Sequence, residues 1–128
     1  MGEIKGCPFC SSEVFEKRVG SNDTMFAIWD NYPVTKGHML IIPKRHTPDY
    51  FSMTDEERLD VDKLLQQLKR SIELNDETVT GFNIGMNCGA SAGQTVFHAH
   101  IHLIPRRDGD TASPRGGVRG VIPDKMSY

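Results

Sequence analysis

Three of the chain's five histidines alternate in His98-x-His100-x-His102, directly behind Gly93-Gln94-Thr95. In extended backbone, side chains change face at every residue. This spacing therefore sends three imidazoles to one surface and Ala99, Ile101 and Leu103 to the other. One histidine on a strand needs only a solvated face, whereas three in alternation require a chemical explanation. Two chemistries suit them: metal ligation through a neutral ring nitrogen, and nucleophilic or acid–base catalysis near neutral pH. A second chemical group, Cys7-Pro8-Phe9-Cys10, lies near the start. Its spacing fits half of a zinc site, a dithiol redox pair, or coincidence. A thioredoxin-like pair follows a strand and opens a helix, but this one precedes any strand-like stretch and runs into Ser11-Ser12, which favours zinc. Cys88 has no neighbouring cation in the sequence and reads as an inert small residue.

The elements that must position these groups are legible in outline. Val14 to Val19 and Thr24 to Trp29 read as two short strands, with Gly20-Ser21-Asn22-Asp23 between them as hairpin turn chemistry. Gly37 to Pro43, with His38 near its start, is apolar on both faces and predicts a central strand ended by proline; His46 follows just beyond. Thr54-Asp55-Glu56-Glu57 predicts a capped helix start. From there to about Leu74, Val61, Leu64, Leu65, Leu68 and Ile72 share one face, the pattern of a helix lying on a sheet. Phe82 to Met86 is a further strand. Asn87 to Gly93 is a loop of small residues whose amides can approach an anion.

The 128 residues, 38% of them hydrophobic, fit one compact domain. A net charge of −2 provides no global field for a polyanion, so nucleic acid is an unsuitable partner and any phosphate binding must be local. No apolar run approaches the roughly 18 residues that span a bilayer, and the first residues lack a signal-like apolar core; with the cysteine usage, this predicts a cytoplasmic protein without a membrane partner. Residues 106–128 carry four Arg and one Lys against three Asp, with four Gly and two Pro. That composition suits both an unstructured end and an ordered arm that reaches phosphates of a ligand or a neighbouring subunit.

The triad with its Gly-Gln-Thr lead resembles the signature of the histidine triad (HIT) superfamily of nucleotide hydrolases and transferases. The likeness runs from Cys7 to about Asp110. It takes in Gly37-His38-x-Leu40-Ile41-Ile42-Pro43-Lys44, the loop Asn87 through Thr95, and Pro105-Arg106-Arg107-x-Gly109-Asp110, which resembles the ending of the Fhit-like branch. The resemblance implies an α+β fold: an antiparallel sheet of about five strands with one main helix packed on it, two protomers forming a homodimer with a continuous sheet. It also implies a purine nucleotide substrate. His100 would be the nucleophile, and His102 and His38 would bind phosphate oxygens or hold its ring. Gln94 and Thr95 would contact the phosphates and the leaving group, Asp30 the ribose hydroxyls, Phe9 and Ile28 the base, with Asn87 and Gly93 completing the cradle. Zinc-bearing relatives imply a structural Zn²⁺ on Cys7, Cys10, His46 and His98.

The expected reaction is hydrolysis at the α-phosphorus through a nucleotidyl-histidine. The arginines after Pro105 favour dinucleoside polyphosphates as substrates, because extra phosphates need cationic partners. A Hint-like nucleoside phosphoramidase, a nucleotidyl transferase and a non-catalytic nucleotide-binding module are the alternatives.

Overall fold

The sheet is built around β3 (Met39–Pro43), whose five residues are all buried. In the computed structural model, which describes residues 4–128, the other strands are β1 (Gly20–Ser21), β2 (Met25–Trp29), β4 (Val79–Gly85) and β5 (Ile101–Arg107). They form one sheet in the order β1-β2-β3-β5-β4, each neighbouring pair antiparallel. The helices are a short α1 (Ser12–Glu16) and the long α2 (Asp55–Asn75), with 3₁₀ turns at Tyr50–Ser52, Ala90–Ala92, Gly117–Val121 and Pro123–Lys125. No helix among the described residues is long and apolar enough to cross a membrane.

Period two divides the sheet into two apolar layers. Met25, Ala27, Met39, Ile41, Ala99, Ile101 and Leu103 pack beneath Val61, Leu64 and Leu68 of α2. Phe26, Ile28, Leu40 and Ile42 form the other layer, against Phe9, Val14 and Phe15. Each fully buried large side chain contributes roughly 1.5–3 kcal/mol, so both layers are needed to hold the strands in register. Helix α2 begins as expected: the Thr54 hydroxyl accepts from the Glu57 amide at 3.0 Å, and Glu57 accepts from the Thr54 amide at 2.8 Å. Arg45 closes on the same carboxylate through Nη2 at 2.7 Å and Nε at 3.1 Å, tying the chain after β3 to the start of the helix.

Two expectations need correction. Val14 to Val19 is not a strand: Ser11 caps α1 by accepting from the Val14 amide, and Val14 and Phe15 turn onto the second apolar layer. Gly20 and Ser21, expected in the hairpin turn, are paired with Ala27 and Phe26, and the turn falls at Asn22 to Met25. The second correction concerns the triad, where the ladder begins only at Ile101, so His98 and His100 precede the paired strand. The alternation of faces survives nevertheless, because Ala99, Ile101 and Leu103 all enter the layer under α2.

Candidate functional site

Three stretches of chain converge at the approach to β5. The N-terminal segment brings Cys7 and Cys10, the turn after β3 brings His46, and the chain ahead of β5 brings His98. Their donor atoms lie within 4.8 Å of one another. Cys10 Sγ is 3.2 Å from His46 Nδ1 and 3.4 Å from His98 Nδ1, and Cys7 Sγ is 3.5 Å from His98 Nδ1. His98 is fully buried. Its Nε2 lies 2.8 Å from the Pro43 carbonyl, an acceptor only, so the ring proton is on Nε2 and the Nδ1 lone pair faces the sulfurs. Burial disfavours the imidazolium and pushes the His98 pKa down, against the pull of the Pro43 carbonyl. Two thiols and two neutral imidazoles at these spacings fit a tetrahedral ion with about 2.3 Å to sulfur and 2.0–2.1 Å to nitrogen, and leave no open position.

His100 and His102 are half-buried, on the same face and nearer the surface. The Nδ1 of His100 lies 2.9 Å from the carbonyl of His98, so this nitrogen donates and Nε2 carries the lone pair. Phe9 meets the His100 ring edge-on at 5.1 Å, and the His102 ring is 5.5 Å away. Behind them stand Asp30, just after β2, and His38, just before β3. The Val34 amide donates to His38 Nδ1 at 3.1 Å, which places the His38 proton on Nε2. That proton faces His102 Nδ1 at 2.9 Å and Asp30 Oδ2 at 3.3 Å. His102 therefore holds its own proton on Nε2. Burial lowers the pKa of both His38 and His102; His100 and His38 lower that of His102 further, and Asp30 opposes the shift in each case. Asp30, His38 and His102 also lie close enough to share a metal ion. The Val34 amide argues against it, because metal binding at His38 Nε2 would move the proton to Nδ1 and set two donors against each other.

Phe9 and Ile28 belong to one apolar cluster beside His100. A methyl group built on Gly93 would lie 3.6 Å from the Asn87 side-chain nitrogen, so these two residues face each other across the loop, and Gly93 takes a positive φ of 94° that disfavours any other residue. Thr95 is exposed at the loop's end. Gln94 is differently placed from the expectation. Its Oε1 accepts from the Gly89 amide at 2.7 Å, and its Nε2 donates to the carbonyls of Pro48 at 2.6 Å and Val96 at 3.1 Å. Its amide latches the loop to the turn after His46.

The basic C-terminal stretch is folded, and its arginines are engaged within the chain. Arg106 binds both oxygens of Asp110 at 2.8 Å and Asn83 Oδ1 at 2.6 Å. Arg107 binds Asp76 at 2.9 Å and the Thr78 hydroxyl. Arg115 and Arg119 stack on the Tyr128 ring, and Arg119 donates to the Lys125 carbonyl. Arg106 and Arg107, the two cations on β5, are therefore paired with carboxylates, which weakens the sequence argument for polyphosphate recognition.

Several positioning groups had no sequence signal. The carbonyl of buried Thr47 accepts from the Ala99 amide at 2.7 Å, and the Thr35 hydroxyl donates to the Pro105 carbonyl at 2.7 Å, fastening two loops to the ends of the triad segment. The Val34 amide and the carbonyls of Pro43 and Pro48 act through backbone, which any residue supplies.

The HIT domain family model matches residues 11–109. An uncharacterized 16.1 kDa HIT-like protein of Mycoplasma pneumoniae is 38% identical over 103 residues, which span 78% of this chain and 71% of that one. Among solved structures, a Zn-bound histidine triad family protein from Mycobacterium smegmatis matches with a TM-score of 0.75 at 36% identity, over 84% of this chain and 80% of the other. A HIT family hydrolase from Clostridium thermocellum matches with a TM-score of 0.65 at 27% identity, over 83% and 95% respectively.

Proposed function

The chain belongs to the histidine triad family, and we propose that it hydrolyses nucleotides at the α-phosphorus through a covalent intermediate on His100. One observation carries this reading: the His98 carbonyl holds the proton of His100 on Nδ1, so Nε2 of this half-buried ring keeps its lone pair. Attack by Nε2 forms a phosphorus–nitrogen bond, and the leaving group departs with its bonding electrons. Water then attacks the same phosphorus and the P–N bond breaks, giving a nucleoside monophosphate and restoring the imidazole. His102, with its proton on Nε2, is suited to donate to a non-bridging phosphate oxygen as charge develops. Asp30 and His38 maintain that proton arrangement. Phe9 and Ile28 supply an apolar wall for a purine, Asp30 an acceptor for ribose hydroxyls, and Asn87, Gly93 and Thr95 the border of the phosphate site.

Cys7, Cys10, His46 and His98 are the residues that would hold a structural zinc ion. When bound, the ion cross-links the N-terminal segment to the two loops beside the triad. His98 cannot then serve as general acid, and leaving-group protonation falls to water or to the substrate. A homodimer belongs to the same reading: β4 is an edge strand, and its Ile84 is 51% exposed. Sedimentation equilibrium tests the dimer.

His100→Ala is expected to lower turnover by at least about four orders of magnitude while nucleoside monophosphate still binds. Single-turnover kinetics and acid-quench mass spectrometry should detect a nucleotidyl adduct on His100 in the parent protein. An unchanged rate in the variant would exclude the covalent mechanism.

A further inference from the structure

The apolar layer beneath α2 is not covered to its end. In β2, Trp29 pairs with Met39 and falls two residues beyond Ala27, so its side chain shares the face on which Met25, Ala27 and Met39 pack. The first four residues of β2 are buried, yet Trp29 is 53% exposed. The helix explains the difference. Its apolar stripe runs through Val61, Leu64 and Leu68 to half-buried Ile72, and its other residues at that end, Ser71 and Asn75, are short and polar. A cavity of about 680 Å³ remains between this end of α2 and the sheet, walled by Val19, Trp29, Met39, Leu68, Ile72 and Pro105. That volume is in the range that encloses small organic ligands. We propose that this cavity binds a small planar aromatic carboxylate, its ring against the Trp29 indole and its carboxylate at the Lys36 ammonium.

Three charged residues bound the cavity. Arg107 and Asp76 neutralise each other in an ion pair at 2.9 Å. Lys36 has no ion-pair partner among the described residues, so the rim carries one uncompensated positive charge. An aromatic anion meets both features: its ring takes Trp29 and Ile72 out of water, and its carboxylate gains a charge-assisted hydrogen bond. A phosphate-rich anion, by contrast, would set its charge against apolar walls. The cavity is separate from the triad. Asp30 and His38 adjoin Trp29 and Met39 in the chain but turn to the opposite face, where they meet His102. None of the residues that bound the cavity belongs to β4, the edge strand assigned to the homodimer.

The turn that carries Lys36 is fastened to the sheet. The Thr35 hydroxyl donates to the Pro105 carbonyl at 2.7 Å, and the His38 amide donates to the Thr35 carbonyl at 3.2 Å. Between them Gly37 takes a φ of 91°, and a methyl group there would lie 3.3 Å from Pro105 Cγ, so the turn sits directly on β5. On the other side, a methyl group on Gly20 would lie 3.3 Å from Leu68 Cδ2, which shows how closely α2 approaches β1. Both walls are therefore in place before a ligand arrives, and that reduces the ordering cost of binding.

Trp29 is the chain's only tryptophan, so its emission reports on the cavity directly. Biphenylacetate is expected to change that emission saturably with a Kd on the order of 0.1 mM, and the neutral biphenylacetamide to bind about fivefold more weakly. Lys36→Gln should bring the carboxylate down to the affinity of the amide. Ser71→Phe, which fills the cavity from the helix, should abolish binding with the fold intact by circular dichroism. Phe9→Ala, on the opposite layer, should leave the affinity in place. The assignment would be overturned by no saturable change at millimolar carboxylate, by equal affinity for acid and amide, by an unaltered Kd in Lys36→Gln, or by loss of binding in Phe9→Ala.

Discussion

The two histidine clusters on this sheet are built from the same side chain and behave oppositely. In the Cys7, Cys10, His46 and His98 cluster, lone pairs converge on a common point. In the Asp30, His38 and His102 cluster, hydrogen bonds run in one direction, from the Val34 amide to His38 and from His38 to His102. The difference lies in what faces the far nitrogen of each ring. His98 meets a carbonyl and frees Nδ1 for a metal. His38 meets an amide and becomes a donor at Nε2. His100 meets a carbonyl at Nδ1 and is left with a nucleophilic Nε2. Backbone polarity assigns the role of each imidazole, and residue type alone does not. His98 also links the first cluster to the middle imidazole of the triad, because it offers its ring to the cluster and its carbonyl to His100.

That shared residue gives the sharpest way to separate the two regions. If the cluster holds the zinc ion proposed above, Cys10→Ser should lose it by native mass spectrometry and lower unfolding stability by on the order of several kcal/mol, metal loss being among the mechanisms behind large single-substitution effects. Because the His98 carbonyl is held by the same residue, turnover should fall too, although no residue of the proton chain has changed. A Cys10→Ser protein with full stability and full turnover would show that the cysteine–histidine cluster holds no ion of consequence.

The sequence made the chemistry more legible than the elements that carry it. Spacing alone paired Cys7 with Cys10, placed three histidines on one face, and located the Thr54–Glu57 cap, since each depends on local geometry. Val14 to Val19 misled because a short run with apolar Val14, Phe15 and Val19 also fits one turn of helix once Ser11 caps it. Gln94 misled for a different reason. A carboxamide adjoining a phosphate loop suits a ligand and a latch equally, and only the position of Pro48, distant in sequence, decides between them. The tail arginines looked available because their partners Asp76, Asn83 and Tyr128 come together with them only after folding.

Removing that latch should produce the next largest effect. Gln94→Ala leaves the Gly89 amide and the Pro48 carbonyl without their partner, at a cost of about 2–3 kcal/mol. The loop from Asn87 to Thr95 should loosen, seen as faster amide exchange at Gly89. KM should rise more than kcat falls, since His100 keeps its own support. A kcat loss as large as that of His100→Ala would instead make Gln94 part of the reacting group.

The smallest predicted effect isolates the proton chain through pH. Burial lowers the folded-state pKa of His38 below its ordinary value of 6.5, so the unfolded chain takes up a proton first as pH falls. Stability is then complete above roughly pH 6.5 and declines as pH drops through the interval between the unfolded and the lowered folded values. The slope there approaches about 1.4 kcal/mol per pH unit for one proton. His38→Asn keeps an acceptor for the Val34 amide but cannot titrate, so in urea denaturation its stability should fall less steeply than the parent's between pH 7.5 and 5.5. His102 and His98, lowered by burial as well, are unchanged in the variant and contribute to the remaining slope. Equal slopes in parent and variant would mean that His38 is not held neutral, and the directed chain from Val34 to His102 would lose its first step.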